Sequence, residues 1–412
     1  MSRSTSIGNP LLIVVGGTDP VYRAYCVAQA AAAYRIALID AKPPTWQQHL
    51  VVDHEVADTH DPDAVVAAGL ALAERHTVAG VVTWDEYCLV PTAQLAAHLA
   101  LPGNTVESMN AGRNKAASRH LFAEHNVPSA TSTRVDTLPQ ATAAASRTGF
   151  PVVLKPVSHA ASIGVIRADR PEELPAAWEF AAAGAGEQGP EGRGVLVEEY
   201  LVGPEISVEC VTVGGLTTAV AVTRKEVGFA PYFEETGHTV TAGDPLLPHV
   251  APIARRAVRA LGITDGVQHV EMRLTASGPR IIEVNSRIGG DLIGTLVRLA
   301  TGLDLPRIAA DIACGNDPSL TPSARQTAAI KILYPPANGT LTARHLATGP
   351  GRQRPWLHQV TWLHDVGDQV ALPPHGNSNG RIGFLIVTAD SPGEAHDRLA
   401  VLAEALTLTV SA

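Results

Sequence analysis

Alternation of apolar strands with an Ala-rich helical segment, near the start of the chain, limits the fold more than any other feature. The strand LLIVV (11–15) leads through Gly16-Gly17 into a helical stretch, which is followed by a second strand, IALID (36–40). Another helical stretch and another apolar strand follow before residue 84. Because strand, helix and strand in this order place successive strands parallel in one sheet, we predict an α/β fold, α+β in part, that opens with a Rossmann-like βαβ domain.

Length and composition indicate more than one domain. The chain has 412 residues, of which 45% are hydrophobic and only 4% aromatic. This length exceeds one ordinary hydrophobic core, and the cores must be built mainly from aliphatic side chains. We predict an N-terminal α/β domain over residues 1–104, a middle region over 105–300 that carries the site, and a C-terminal, lid-like α+β region over 301–412 that completes it.

Charge and cysteine usage exclude several classes of protein. The formal net charge is −9 and long basic runs are absent, which argues against nucleic acid or an anionic membrane surface as a partner. The four cysteines are far apart in sequence and form no CxxC pair, as is typical of reduced thiols. Apolar runs are too short for a signal peptide or a membrane span. We therefore expect a cytoplasmic protein that acts on small molecules.

The stretch GVQHVEMRLTASGPRIIEVNSR (266–287) is typical of a hairpin, with two alternating strands around a turn of about five residues, TASGP. A register centred on this turn pairs Glu271 with Glu283, and it also places Asn285 on their face. Opposed carboxylates repel unless a cation lies between them, and Mg²⁺ prefers oxygen ligands. Arg287, two residues further on, would then face a developing phosphoryl or oxyanion charge.

A plainer interpretation of this hairpin stays open. Acidic and basic side chains also alternate on a sheet face that simply meets water. The register matters as well, because an odd pairing sum would place Glu271 and Glu283 on opposite faces. The hairpin alone therefore does not establish a metal site.

Two further stretches are compatible with nucleotide binding. Lys155 ends the apolar strand of FPVVLKP, where an ammonium is costly unless it meets an anion, and the loop VSHAASIG that follows has small residues able to bring backbone N–H groups onto phosphate. In VEEYLVGPEISVE, the edge at 198–201 has a backbone able to contact an adenine, and Glu205 is placed to hold ribose hydroxyls. A structural lysine and an exposed acidic strand are the respective alternatives.

In chain order, the stretches NKAASR, VVLKP with its small-residue loop, VEEYLVGPEISVE, HVEM and EVNSRIGG resemble the ATP-grasp superfamily. The stretches GFAPYFEETGHTV and GRIGFLIVTADSP resemble its carboxylate–amine ligases, near the L-amino acid (dipeptide) ligases and carnosine synthases. The resemblance covers essentially the whole chain. One departure is Asn114, which stands where many relatives carry an acid.

This resemblance implies an ATP-grasp fold, with ATP and Mg²⁺ as cofactors and Mn²⁺ as an alternative metal. It implies that a loop over 158–164 closes over the triphosphate and that Arg287 serves the acyl-phosphate chemistry. The implied nucleotide-binding residues are Lys115, Lys155, Ser158, Ser162, Gly164, Glu198, Glu199, Tyr200, Leu201 and Glu205. The implied metal ligands are Glu271, Glu283 and Asn285.

On the substrate side, His238 in ETGH resembles a family histidine near the acceptor pocket, although an ordinary turn histidine is an alternative. Gly289 and Gly290 would let the backbone approach the substrate closely. Asp291 has two interpretations: it caps the helix that follows, or it recognises the ammonium group of the amino acid that is activated. Arg287 would also contact this substrate.

The implied activity is that of an ATP-dependent carboxylate–amine ligase. It would activate an amino acid or similar carboxylate as an acyl phosphate and join it to an amine, giving an amide or dipeptide. Alternatives are a purine-pathway or biotin-carboxylase-like ATP-grasp enzyme, a nucleotide-binding module without turnover, and a nicotinamide-dependent oxidoreductase, for which the GxGxxG pattern after the first strand is incomplete. Dimers are common in the superfamily, so a homodimer is also considered.

Overall fold

The computed structural model describes residues 10–17, 19–186, 194–347, 354–376 and 380–411. Within these residues the strands form four sheets, which contain four, eight, three and four strands. Helices pack against them, so the predicted mixed α/β class is confirmed.

The N-terminal part is a parallel sheet with the strand order β3-β2-β1-β4. The predicted βαβ opening is therefore confirmed, and the edge strand β3 is an addition to it. The elements are β1 (Leu11–Val15), α1 (Ala24–Ala31), β2 (Arg35–Asp40), β3 (Val51–Val56), α2 (Pro62–Arg75), β4 (Val78–Val82) and α3 (Leu89–His98). A short 3-10 turn, Glu86–Cys88, lies between β4 and α3.

Two helices then lead into a small antiparallel sheet with the strand order β5-β8-β6-β7. Asn114 separates the two helices, and its side chain caps the second by accepting from the N–H groups of Ala116 and Ala117. The elements are α4 (Val106–Arg113), α5 (Lys115–Glu124), β5 (Ser132–Val135), α6 (Leu138–Thr148), β6 (Val152–Pro156), β7 (Ile166–Ala168), α7 (Leu174–Gly186) and β8 (Val195–Glu199).

The largest sheet is antiparallel and has the order β13-β12-β9-β10-β11-β14-β18-β16. Its strands come from both sides of residue 300, so this sheet crosses the predicted boundary between the second and third regions, and the domain limits stay a prediction. Up to that boundary the elements are β9 (Glu205–Val213), β10 (Leu216–Gly228), β11 (Glu234–Thr241), α8 (Leu247–Ala260), β12 (Gly266–Thr275), β13 (Gly278–Asn285) and α9 (Ile293–Thr301).

The C-terminal region completes the large sheet and adds a three-stranded sheet, β17-β15-β19, beside it. Its elements are α10 (Leu305–Ala313), β14 (Thr327–Leu333), β15 (Gly339–Leu346), β16 (Leu357–Trp362), β17 (Gln369–Val370), β18 (Gly383–Ala389), α11 (Pro392–Glu404) and β19 (Leu406–Ser411).

One hydrophobic core joins the N-terminal part to the large sheet. Leu12 and Val14 of β1 are buried in the same cluster as Leu296 of α9, Ile308 of α10 and Ile330 of β14. Burial of apolar side chains at about 25 cal/mol per Å² fixes these layers against each other. As a result, the turn after β4 is held beside the residues that follow β13.

The hairpin of β12 and β13 has the predicted pairing at its important end, but not the predicted turn. Glu271 pairs with Glu283, as expected from the sequence. The five-residue turn is wrong: β12 ends at Thr275 and β13 begins at Gly278, so only two residues lie between the strands. A register shift next to Glu271, which leaves Ile282 without a partner in β12, restores the expected pairing.

Candidate functional site

A cavity between the small sheet and the large sheet collects most of the nucleotide-binding residues predicted from the sequence. Its wall includes the loop after β6 and the segment that follows β8. Twelve of the predicted residues line it: Lys115, Lys155, Ser162, Glu198, Glu199, Tyr200, Leu201, Glu205, Glu271, Glu283, Asn285 and Arg287. We call this space the first cavity.

Both predicted phosphate-contacting lysines are buried in this wall and paired with acids. Lys115 begins α5, and its Nζ lies 2.9 Å from Glu283 Oε1. Lys155 ends β6, and its Nζ lies 2.7 Å from Glu198 Oε2. Burial lowers the pKa of Lys155. Two buried ammonium groups therefore line the first cavity, which favours an anionic ligand.

Glu198 is the central member of a buried ion cluster. Arg119 of α5 donates to both of its carboxylate oxygens, from Nε at 2.8 Å and from Nη2 at 3.1 Å, and Lys155 binds it from the other side. Burial opposes ionisation, but the charges of Arg119 and Lys155 lower the pKa of Glu198 to about 2. The side chain of Glu198 is thus occupied within the protein, and its contribution to a ligand site is the backbone of its strand.

The three residues predicted in the loop after β6 have different positions. Ser162 lines the cavity, has a φ of 55°, and donates to the carbonyl oxygen of Phe233 at 2.9 Å. Gly164 lies behind the loop, where a Cβ would come within 2.8 Å of the ring of Pro156. Ser158 is buried and its hydroxyl has no hydrogen-bond partner among the described residues. Gly164 is therefore required by packing.

The predicted metal ligands share one wall. Glu271 and Glu283 face each other across the hairpin, and Asn285 lies two residues further along β13, on the same face. Burial raises the pKa of Glu271, but Lys225 and His269 lower it well below its ordinary range. Two carboxylates and an amide oxygen are ligands that suit a hard divalent cation such as Mg²⁺, so the residues present fit the metal that the resemblance implies.

Lys225 of β10 is a site residue that the sequence did not reveal. Its side chain is 1% exposed, and its Nζ lies 2.9 Å from Glu271, 3.1 Å from Glu205 and 3.1 Å from Glu235. Burial lowers its pKa, but the three carboxylates raise it well above its ordinary value. Nothing local in the sequence distinguishes Lys225 from an exposed strand lysine, because the three acids come from three other strands.

A buried hydrogen-bond relay supports Glu271 from behind. Glu209 is fully buried and accepts from the hydroxyls of Ser207 and Thr223 and from His269 Nδ1, while His269 Nε2 lies 3.2 Å from Glu271 Oε1. Burial lowers the pKa of His269, but Glu209 raises it to about 9. A charged His269 therefore donates to both acids and fixes the orientation of Glu271.

Gly289 makes room for this relay. A Cβ at residue 289 would lie 2.9 Å from His269 Nδ1 and 3.0 Å from Ile293 Cβ. Gly290, by contrast, has no atom within 4 Å of its Cβ position, and it lines a second, larger cavity. Of the two predicted glycines, only Gly290 thus borders open space.

The second cavity has a volume of about 730 Å³ and is lined by all three predicted regions of the chain. The N-terminal part contributes the turn at Asp85–Tyr87, and the C-terminal part contributes Arg381. It meets the first cavity at a set of residues that line both: Ala160, Ala161, Glu235, Glu271, Asn285 and Arg287. The two spaces therefore adjoin at the predicted metal ligands and the predicted catalytic arginine.

Arg287 lies at this junction. Its Nη2 donates to Asn285 Oδ1 at 3.3 Å and its Nη1 donates to the carbonyl oxygen of Ile288 at 2.8 Å. Its Nε is 2.9 Å from Glu86 Oε2, at the turn after β4. A residue of the N-terminal part, which sequence reasoning missed, thus contacts the predicted catalytic side chain.

The helix-cap interpretation of Asp291 is wrong. The N-cap residue of α9 is Leu292, and its side chain makes no capping hydrogen bond. Asp291 precedes it with a φ of 49°, and its carboxylate does not cap the helix. It accepts from Arg381 Nη1 at 2.6 Å and lies 3.2 Å from Nε2 of the buried His238. Burial raises the pKa of Asp291, but Arg381 and His238 lower it strongly.

Glu235, His238 and Asp291 are close enough together to hold a metal ion. However, the guanidinium of Arg381 already contacts both acids, at 2.6 Å from Asp291 and 3.4 Å from Glu235. A cation is thus built into this cluster, as cations of the chain also contact the hairpin acids: Lys225 Nζ lies 2.9 Å from Glu271 and Lys115 Nζ lies 2.9 Å from Glu283.

Fold and site together are similar to those of ATP-grasp proteins. Residues 148–295 match the family model of the ATP-grasp domain, so the resemblance carried by the motifs is confirmed. Among solved structures, the L-amino acid ligase of Bacillus licheniformis superposes with a TM-score of 0.81 at 22% identity, over 98% of this chain and 99% of that one. This likeness shows that the two chains share one fold over nearly their whole length.

Two relatives are similar to this chain in sequence. The chain is 27% identical to the uncharacterized protein y4rH of Sinorhizobium fredii, over 97% of this chain and 83% of that protein. It is also 27% identical to human carnosine synthase 1, over 76% of this chain but only 40% of carnosine synthase. The chain thus matches less than half of the carnosine synthase sequence. Among the described residues, no helix is both long and apolar enough to cross a bilayer.

Proposed function

We propose that this protein is an ATP-dependent carboxylate–amine ligase. It activates an amino acid or similar carboxylate as an acyl phosphate and joins it to an amine, which is most simply a second amino acid. The products are an amide or dipeptide, ADP and phosphate. One observation carries this proposal: the lysine-lined first cavity and the large second cavity meet at Glu271, Asn285 and Arg287.

The first cavity is proposed to bind ATP. Lys115 and Lys155 bind the phosphates, and the loop after β6 lies over them with Ser162 in its wall. The strand edge at 198–201 contacts the adenine through its backbone, and Glu205 holds the ribose hydroxyls. Ser158 and Gly164 shape the loop from behind, since the first is buried and the second packs on Pro156.

The hairpin is proposed to hold Mg²⁺, with Mn²⁺ as an alternative, through Glu271, Glu283 and Asn285. When bound, this cation supplies positive charge to the phosphoryl group that is transferred. The relay through His269 keeps one carboxylate in position. Lys225 balances three acids at the same wall, which limits the negative charge there.

In the first chemical step, a carboxylate oxygen of the substrate in the second cavity attacks the γ-phosphorus of ATP, and the bond to the β-phosphate oxygen breaks to release ADP. In the second step, the amine nitrogen attacks the carbonyl carbon of the acyl phosphate, the carbon–oxygen bond to phosphate breaks, and the nitrogen loses a proton. Both steps depend mainly on positioning and charge neutralisation. Arg287 stabilises the tetrahedral oxyanion from the junction.

The relatives support the same chemistry, because carnosine synthase and L-amino acid ligase are names of amide-forming enzymes. The second cavity is proposed to take both substrates, with His238 on the side of the acceptor amine and with Gly290 and Asp291 beside the amino acid that is activated. Other ATP-grasp ligases and carboxylases share the fold. The nicotinamide alternative loses its basis, because Gly16 is explained by packing: a Cβ there would lie 2.7 Å from Cys88 Sγ. A homodimer and a cytoplasmic location stay predictions.

The proposal is tested by a pairwise amino-acid screen. ATP-dependent phosphate release is measured for every pair, and the products are identified by mass spectrometry. We expect release with at least one pair and a product equal in mass to the two substrates minus water. Release that needs no amine, or no release with any pair, would contradict a carboxylate–amine ligase.

Arg287→Ala provides the site-directed test. Loss of one oxyanion donor costs about 10²–10³ in kcat, so we expect amide formation to fall by that factor. Arg147→Ala, at an exposed residue of α6, is the matched control and should retain activity. Circular dichroism checks that both variants are folded. An Arg287→Ala variant as active as the control would refute the assigned role.

A further inference from the structure

Glu86 is a partly buried acid that the proposed chemistry does not yet use. It begins the 3-10 turn after β4 and lines the second cavity, and its side chain is 12% exposed. Its Oε2 lies 2.9 Å from Arg287 Nε, yet neither atom makes an aligned hydrogen bond with any described residue. Both side chains therefore keep unused hydrogen-bonding capacity at the point where the two cavities meet.

The backbone of this turn is held rigidly, so the position of Glu86 is well determined. Thr83 Oγ1 donates to the carbonyl oxygen of Val15 at 2.8 Å and accepts from Asp85 N at 3.0 Å. Asp85 Oδ1 in turn accepts from Tyr87 N at 2.9 Å. Arg113 donates to the carbonyl oxygen of Glu86 itself. Such preorganisation is what a recognition residue requires.

The neighbouring acids of the second cavity have partners. Asp291 is bound by Arg381 and His238, and Glu235 by Lys225 and Arg381. Asp19 and Asp85 accept backbone N–H groups of their own turns. Glu86 differs from these acids in its partners: its Oε2 lies 2.9 Å from Nε of Arg287, the arginine that the proposed chemistry directs toward the substrate, and its Oε1 lies 4.0 Å from Nη1 of Arg113.

An amino acid carries its ammonium group next to its carboxylate. When Arg287 turns toward that carboxylate, Oε2 of Glu86 loses its close cation, and the substrate ammonium is placed to replace it, while Arg113 stays beside Oε1. The exchange conserves charge, because a zwitterion enters between an acid and a base. Without such a replacement, a carboxylate oxygen shielded from most water would lack a partner, which is costly.

We propose that Glu86 binds the ammonium group of the amino acid whose carboxylate is activated, and that it makes the enzyme select amino acids over carboxylic acids without an amino group. This assignment rests on the proposed ligase function. A residue of the N-terminal part of the chain thus contributes to substrate specificity. It also moves ammonium recognition from Asp291, whose carboxylate is occupied by Arg381, to Glu86.

The test compares L-alanine, L-leucine and L-phenylalanine with propanoate, 4-methylpentanoate and 3-phenylpropanoate, which lack the amino group. For each pair, kcat/KM is measured by phosphate release, or the inhibition constant where an acid is not turned over. The variants are Glu86→Gln and, for comparison, Asp291→Asn. Wild-type activity with any amino acid first establishes the ligase function independently.

We expect the wild type to prefer the amino acid by about tenfold to a hundredfold, as a charged hydrogen bond provides. Glu86→Gln should reduce this preference at least tenfold through KM for the amino acid, with KM for ATP unchanged. Asp291→Asn should keep the preference. The assignment is overturned if Glu86→Gln lowers activity with both members of a pair equally, since Glu86 would then only position Arg287.

The assignment is also overturned if Asp291→Asn, and not Glu86→Gln, abolishes the preference. Absence of phosphate release by the wild type with every amino acid would instead refute the ligase function, and the assignment with it. The failure of the assignment and the failure of the function thus give different results.

Discussion

Replacement of Glu198 by Gln should destabilise the fold and remove part of its pH dependence. Glu198 is buried between Arg119 and Lys155, and its pKa is about 2 in the folded chain against an ordinary value of 4.5. This difference corresponds to about 3 kcal/mol of stability at neutral pH. Removing the carboxylate leaves two cations without their shared counterion, and breaking a buried pair in this way costs about 3–5 kcal/mol.

The sign of the pH dependence follows from the lowered pKa. The contribution of Glu198 is fully present above pH 4.5, the unfolded value, and it is lost as the pH falls toward about 2, the folded value. The difference in unfolding free energy between the wild type and Glu198→Gln should therefore be constant from pH 5.5 to 7 and should shrink by about half by pH 3.

Urea unfolding followed by circular dichroism measures this difference at each pH. Glu124→Gln is the matched control, because Glu124 ends α5, the helix that carries Arg119, but its side chain is 55% exposed. The control should lie within about 1 kcal/mol of the wild type. A Glu198→Gln variant equal in stability to this control, or a difference that does not shrink in acid, would refute the reasoning.

Two further substitutions test the metal wall, each against a matched control. Gly289→Ala places a Cβ 2.9 Å from His269 Nδ1 and should raise the Mg²⁺ concentration needed for half-maximal activity by about 10–100-fold. The Cβ of Gly290→Ala meets no atom within 4 Å, so this control should leave that concentration unchanged. The same half-maximal Mg²⁺ concentration for both variants would contradict the prediction. Lys225→Met leaves three acids facing each other and should lower the free energy of unfolding in urea by at least about 3 kcal/mol. The control Lys331→Met, at an exposed side chain, should lower it by under about 1 kcal/mol. Equal losses would show that the pairing of Lys225 with the three acids does not stabilise the fold.

The hairpin shows how a correct strand pairing can be predicted together with an incorrect turn. Period-two alternation placed Glu271 and Glu283 on one face, and a five-residue turn placed them opposite each other. The structure has a two-residue turn and a bulge at Ile282, which together give the same pairing at the glutamates. The position of a bulge depends on packing against neighbouring strands, and the alternation of a single hairpin does not contain it.

The sequence by itself determined the βαβ opening with its parallel strands and the residue types proposed to meet ATP and metal, because local periodicity and short motifs act within a few residues of each other. Tertiary structure decided which charges pair. Lys225 meets acids from β9, β11 and β12, and Glu86 reaches Arg287 across about two hundred residues of chain. Such contacts arise only when separate layers pack on a shared core, since electrostatic partners are set by distance in space and burial, and neither is local in sequence.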